Sequence, residues 1–451
     1  MTTISASSFG AGTNSTLGTG IDVTSTVSAL MVAARAPETT WENEITTNTS
    51  RISALNSVVS ELDTLENDLT TLRDTVTGAF STMTASSSNS SVVTATATGT
   101  ASATTHSIAV SQLATTSSVY TNAVDSSTTL SDGTFSFTVG GASKSVDITS
   151  SDNTLSTLAS AINNADLGVT ASVVSTTSGS ILSMVSNTSG TEGAIAVTSA
   201  PTGLTFNTGV TAQDAKLTVD GVPLTESSNT LSGVITGVTL NLWGTNSTAA
   251  SLSVTSDTTT IASDISSFVT DYNTVISAIN SQYTADASGN EGVLAGDTSL
   301  EQVQSQLLSM LSSQYTGDST STYTTLTSLG ITMNNDGTLS VNSTTLETAL
   351  SDNTSAVKDF FTNTSGGFAT SMYTSLKTIT NTSTGALTMD VNGLTESNTA
   401  LKKDISDFEV RMVAMQSSLT AEYDEINVEM EQYPSSLSSV STILSSLSTT
   451  S

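Results

Sequence analysis

The sequence predicts an α+β multidomain chain: long terminal α-helices form a helical, coiled-coil stalk, and β-rich central domains are inserted between them. The first observation is an apolar stripe near the C-terminus: Leu401, Ile405, Phe408, Met412, Met415, Leu419, Tyr423, Ile426 and Met430, continuing through Tyr433, Leu437, Val440, Leu444 and Leu447. Its steps alternate four and three, the heptad period of a helix that packs on another helix, with an extra step of four before Tyr423 acting as a stutter. The second is a similar stripe near the N-terminus: Ile52, Leu55, Val59, Leu62, Leu65, Leu69 and Leu72. The third is a change of period to two near Thr84, reversed near Asp257.

Residues 1–40 read as a flexible segment followed by a short helix. Gly, Ser and Thr dominate up to Gly20. Asp22 is then a candidate N-cap for Val23, Val27, Leu30, Met31 and Ala34 at helical spacing, and Pro37 is expected to stop that run. Residues 41–83 hold the long N-terminal helix, starting at Trp41 and ending at Gly78 as a C-cap. Residues 84–257 are the β-rich central domains, with an inner unit near residues 128–190. Asp132-Gly133, Gly140-Gly141 and Asp220-Gly221 are turn or hairpin signals, and Leu155, Leu158, Ala159 and Ile162 place one short helix among the strands. Residues 258–395 return to helical spacing at Ile261, Ile265, Phe268, Tyr272 and Ile276. They include a hairpin turning at Asp336-Gly337 and short helices around Leu346 and Phe361. Residues 396–451 form the C-terminal coiled-coil helix, which Pro434 is expected to interrupt.

Composition narrows the function classes. Forty acidic residues against ten basic ones give a formal charge of −30, which argues against nucleic acid or an anionic membrane as partner. No apolar run is long enough for a transmembrane helix, and no basic region followed by an apolar block marks a signal peptide. With no Cys and one His, thiolate metal sites and most nucleophile–base pairs are nearly excluded. Ser355-Ala356-Val357-Lys358 matches an S-x-x-K pattern and Ser351-Asp352-Asn353 matches S-D-N, but they are adjacent, in the wrong order and without a K-T-G. No catalytic residue, metal ligand or cofactor is expected, and an enzyme is the least favoured class.

The motifs, taken together, carry a resemblance. Leu17-Gly18-Thr19-Gly20-Ile21-Asp22 is followed by Val27, Leu30-Met31 and Arg35-Ala36-Pro37; later come Ile108, Val110, Gln112 and Leu113, then Asp220-Gly221-Val222-Pro223 and Gly237-Val238-Thr239-Leu240. Phe268 to Asn273, Leu329 to Leu339 and Gly366-Gly367-Phe368 continue the series. In this order the motifs resemble the hook-associated protein 2 family, which caps bacterial flagellar filaments; residues 135–163 are similar to a unit shared by flagellins and hook proteins. His106 departs from the family, standing where an aromatic residue is common.

The resemblance implies a structural subunit at the distal filament tip, outside the cell, exported through the flagellar channel without a signal peptide. Its partners would be other copies in a ring of about five subunits, flagellin, which it would help to insert while preventing its loss, the export apparatus and an export chaperone. The candidate assembly surface is the pair of stripes named above, the N-terminal one being the expected partner of the C-terminal one. Two other readings stand beside it: another axial component such as a hook–filament junction protein, or a β-rich surface adhesin for mucus or glycans, for which Tyr120, Phe206 and Trp243 are the available aromatics.

Overall fold

The computed structural model describes residues 21–151, 153–285, 289–312, 314 and 322–448, with side chains to residue 445. The motif residues Leu17 to Gly20, the expected flexible segment and the Leu447 side chain therefore lie outside the described residues. Eight α-helices and seventeen β-strands are described.

Helix α1 (Val23–Ala34) starts where Asp22 was expected to cap it, its carboxylate accepting the Ser25 N–H at 3.0 Å. Pro37 does not end a helix; it opens α2 (Ala36–Arg73). In a first turn the missing proline N–H would have had no partner, and its fixed φ suits the helix. Nor does α2 reach Gly78. Asp74 ends it by accepting the N–H groups of Val76 and Thr77 at 2.7 and 3.2 Å. Gly78 instead lies where a Cβ would sit 2.3 Å from the Thr71 carbonyl oxygen, so close packing rather than capping excludes a side chain there.

The β excursion runs from β1 (Met83–Ser87) and β2 (Val93–Ala97) through β3 (Thr104–Gln112), β4 (Thr116–Thr121), β5 (Gly133–Val139) and β6 (Ala142–Ile148) to α3 (Leu155–Asn164). It continues with β7 (Val169–Thr176), β8 (Gly179–Ser189), β9 (Ile195–Ser199), β10 (Phe206–Val210), β11 (Ala215–Val219), β12 (Val222–Glu226), β13 (Thr230–Ile235), β14 (Val238–Leu242) and β15 (Ala250–Ser256). Two separate apolar cores divide it. Sheets β1-β15-β3-β11-β12 and β13-β14-β2 enclose Ile108, Val110, Leu217, Leu240 and Leu252. Sheets β10-β4-β8-β7 and β6-β5-β9 enclose Phe135, Phe137, Leu182 and Met184 with Leu158 and Ile162 of α3.

Gly140 and Gly141, both at positive φ, make the tight β5–β6 turn, and Asp220 (φ 55°) with Gly221 (φ 82°) makes the β11–β12 turn. Asp132-Gly133 joins no hairpin and simply opens β5. The left-handed Asp220 is held by its own carboxylate, which accepts the Ser107 N–H at 2.8 Å and meets His106 Nδ1 at 2.7 Å. Those contacts, His106 first, hold the Asp220 carboxyl below the usual range. The Thr104 hydroxyl lies 2.9 Å from the other ring nitrogen, so the one histidine braces a turn.

Helices α4 (Thr258–Tyr283) and α5 (Thr298–Leu311) are capped by Asp257 and Asp297. The hairpin β16 (Ile331–Met333)–β17 (Leu339–Val341) follows. Helix α6 (Ser343–Thr362) is broken at Asn353 (φ −156°, ψ 72°), so its halves are the two short helices expected there. Next come α7 (Phe368–Ile379) and α8 (Ala386–Ser448). Helix α8 starts ten residues before the expected boundary because Leu387, Val391 and Leu394 extend its apolar stripe toward the N-terminus and pack on the helical core. It also runs through Pro434 without a break. The segment is exposed, so the Met430 carbonyl that the proline leaves without a helical N–H donor faces solvent.

The third core joins α2, α4, α5, α6, α7, the β16–β17 hairpin and the start of α8. Within it the Tyr272 hydroxyl donates to the Gly337 carbonyl at 3.2 Å, and Asn273 exchanges hydrogen bonds with Leu339 at 2.6 and 2.8 Å. Gly337 has φ +83°, and a Cβ there would lie 3.0 Å from Leu308. Gly337→Val is therefore expected to cost about 2 kcal/mol, from left-handed strain plus crowding. The denaturant midpoint of the purified chain should fall accordingly; an unchanged midpoint would mean the turn tolerates a β-branched residue.

Candidate assembly surface

Helix α8 has 63 residues, about 95 Å at a rise of about 1.5 Å per residue. Three successive zones differ in what covers them. The first zone packs on α2, which runs antiparallel to it. Trp41 meets Phe408 edge to face at 5.5 Å, and Asn398 donates to the Thr49 hydroxyl at 3.4 Å. Here Leu401, Ile405 and Phe408 are half-buried.

The second zone packs on α1. Met412 is buried against Val27 and Met31, flanked by Val23, Ala34, Phe408, Leu419 and Tyr423. Polar clamps hold both ends of this contact. At one end Arg35, between α1 and α2, forms a forked ion pair with Glu409 and also meets Glu38 at 2.6 Å; that pairing holds the Glu409 carboxyl below its usual range. At the other end the Asn427 amide takes the whole Ile21 peptide, accepting its N–H at 2.7 Å and donating to its carbonyl at 2.8 Å. Helices α1 and α2 thus lie in tandem along α8.

The third zone, beyond Asn427, has no cover among the described residues. Val428, Met430, Tyr433, Leu437, Val440 and Leu444 are all exposed, Tyr433 to 71%. Met415, on the same stripe, is 43% exposed, whereas Ile426 is half-buried beside the Asn427 clamp.

The N-terminal stripe sits elsewhere. Leu55, Leu62, Leu65, Leu69 and Leu72 are fully buried in the helical core, with Ile52 and Val59 half-buried at its margin. Contrary to the expectation from the heptads it does not meet Met412, whose neighbour is α1. The reason is order along the chain: with α1 and α2 in tandem, α2 reaches only the first zone of α8, and α4, α6 and α7 cover the rest of its apolar face. The spacing of Val23, Val27 and Met31 was the available signal for α1. Nothing in the pattern marked Asn427, a polar residue on an acidic stretch.

One electrostatic feature lies in the same helical unit. Burial between α2 and α4, then the facing Asp271 carboxylate and the nearby Asp264, push the Asp68 carboxyl up to about 7. No donor reaches its buried Oδ2. Burial, then Asp257, likewise raises Asp264. A carboxyl whose folded value is raised binds its proton more tightly in the native state, so its contribution is full below about pH 4 and lost as pH rises to about 7. Asp68→Asn, neutral at all pH and able to donate to Asp271, should therefore be more stable than the parent at pH 8 by about 1 to 2 kcal/mol after allowing for partial exposure, and equal to it near pH 4. Equal stability at both pH values would show that the two carboxylates do not share a proton.

Among the described residues no cluster of His, Asp and Glu is arranged to hold a metal ion, and no helix is long and apolar enough to cross a membrane.

Fold and surface together define a class: a structural subunit whose two chain ends return to one helical stalk, with two β units carried between them. Family profiles agree along the chain: flagellar hook-associated protein 2 N-terminus over residues 19–117, the flagellin hook IN motif over residues 134–199, and flagellar hook-associated protein 2 C-terminus over residues 212–435. Flagellar hook-associated protein 2 of Escherichia coli K12 is 29% identical over 95% of this chain and 96% of its own length. The B-type flagellar hook-associated protein 2 of Pseudomonas aeruginosa PAO1 is 27% identical over 82% of this chain and 84% of its own. The crystal structure of the D1-D2-D3 domains of the Escherichia coli flagellar cap protein FliD superposes with a TM-score of 0.57 at 30% identity, covering 76% of this chain and 99% of that one. The chain belongs to the flagellar hook-associated protein 2 family.

Proposed function

We propose that this chain is a subunit of the cap at the distal end of a bacterial flagellar filament, where it promotes insertion of arriving flagellin and prevents its loss. The observation that carries the reading is the tandem of α1 and α2 along α8, in a chain matched by the family profiles at both ends. A helical stalk whose far stripe is uncovered among the described residues suits a subunit that assembles with copies of itself and stands on a filament. Met415, Met430 and Tyr433, with the stripe through Leu444, are the residues we assign to contacts outside the subunit. Glu422, Asp424, Glu425, Glu429 and Glu431 beside them would repel their copies, so assembly through this face should strengthen with salt.

A ring of about five subunits, passage through the flagellar channel and an export chaperone belong to the same proposal. Mucus or glycan binding gains little from the aromatics: Phe206 is stacked on Phe135 at 5.3 Å inside one β core, and Tyr120 on β4 and Trp243 just past the end of β14 belong to different β units. The hook-associated protein 2 match does not favour a junction protein.

We further propose that residues 84–257 fold on their own. Expressed alone, they should melt cooperatively; a non-cooperative melt would contradict this. The function is tested by deleting the gene in its host. The deletion strain should shed unpolymerised flagellin and lack filaments, and the intact gene should restore them; full-length filaments in the deletion strain would overturn the reading.

A further inference from the structure

We infer that the outer β unit, made of sheets β10-β4-β8-β7 and β6-β5-β9, holds a partner chain by adding one of that chain's extended segments to the free edge of β7. The segment it fits is uncharged, free of proline and rich in β-branched residues. Under the cap reading, on which the inference rests for the partner's identity, that chain is arriving flagellin.

The ladder itself builds the edge. Strand β7 ends its sheet and pairs with β8 in unbroken antiparallel register from Val169 to Thr176. In such a pair the N–H and C=O groups of every second residue point away from the neighbour. Ala171 shows which residues these are: its N–H donates to the Asn163 side-chain oxygen of α3, and its carbonyl accepts from the same amide, both at 2.8 Å. Asn163 thus stands where the peptide of a further strand would. The cover stops there. Val169 and Ala171 are buried in one core with Leu158 and Ile162 of α3, whereas every residue from Ser172 to Thr176 is exposed. By the same two-residue period Val173 and Ser175 present their N–H and C=O groups outward, and among the described residues nothing takes them.

Other edges of the β excursion are guarded. Strand β12 carries Pro223 and Glu226, β6 carries Lys144 and Asp147, and β9, β10 and β13 are bulged. Strands β7 and β8 have no proline and no charge; nothing there holds a carboxylate, and the net charge of −30 repels one. Val173 and Val174, 36% and 49% exposed, face opposite sides of the sheet and would flank alternate side chains of the added strand, favouring β-branched ones. Area decides against a second folded copy as the occupant: five residues of one strand bury far less than the roughly 1,200 Å² of a stable interface. Main-chain bonds at Val173 and Ser175 give instead a grip that tolerates sequence and lets go.

The test mixes the purified full chain with monomeric flagellin of the same host and follows amide exchange at Val173 and Ser175. Exchange at both should slow at least tenfold. Val173→Pro removes one outward N–H without costing β8 a bond, and Ser175→Lys puts a charge on an exposed site of the edge; each should abolish the slowing. The thermal melt of Ser175→Lys should match the parent's, so that variant carries the test if the proline unsettles the strand. Unchanged exchange in the presence of flagellin, or slowing that survives Ser175→Lys, overturns the inference. So does slowing that rises with the chain's own concentration in the absence of flagellin, which would make a second copy the occupant. None of these outcomes touches the cap reading, which stands or falls on the filaments of the deletion strain.

Discussion

Replacing Met412 with Asp is expected to release α1 from α8 and leave filaments short or absent. Met412 is 3% exposed, enclosed by Val27 and Met31. The substitution removes about 1.5 to 3 kcal/mol of apolar burial and puts a carboxylate among apolar side chains, so the combined loss is about 3 to 5 kcal/mol. The contact is small, and the Arg35 and Asn427 clamps are too exposed to hold it alone. Amide exchange across α1 should accelerate at least a hundredfold in the purified variant. Met415→Asp, on an exposed position, should leave that exchange unchanged. In cells, Met412→Asp should be exported, yet unpolymerised flagellin should appear in the medium and filaments should be short or absent. Unaltered α1 protection would refute the packing argument; normal filaments with the variant confirmed at their tips would refute its role in assembly.

Phe361→Ala should be the most damaging single change to the helical unit. Phe361 is fully buried, with ring centroids 5.5 Å from Phe80, 5.0 Å from Phe360 and 5.8 Å from Phe368. Phe80 lies at the exit from α2, whereas the other three belong to the C-terminal helices, so this cluster ties the two ends of the chain together across the β excursion. Truncation should cost about 3 to 5 kcal/mol and lower the melting temperature of the helical unit by about 10 °C, while the transition of the β units stays in place. A loss below about 1 kcal/mol would mean that the halves are held together elsewhere.

Much of this architecture was legible because local signals agreed with the fold. Asp22 caps the helix that follows it, Asp336-Gly337 turns its hairpin, and the change of period near Thr84 and Asp257 falls within a residue or two of the outer bounds of the strands. The errors have physical causes. Proline reads alike at the end and in the first turn of a helix, so Pro37 misplaced the α1–α2 boundary. Pro434 survives within α8 because its surroundings are exposed and solvent serves the carbonyl it leaves free. Above all, heptad spacing says that a helix has a neighbour without naming it. Met412 and Leu65 carry the same pattern, yet one meets α1 and the other lies deep in a core built with helices from the far side of the β excursion. The Asn427–Ile21 clamp depends on tertiary position alone and has no local signature.

Immunogold electron microscopy with an antibody against the outer β unit, applied to intact flagella, tests whether this chain sits at the filament tip. A single cluster of gold at the distal end of each filament is the predicted result. Gold along the shaft, or at the junction with the hook, would contradict it.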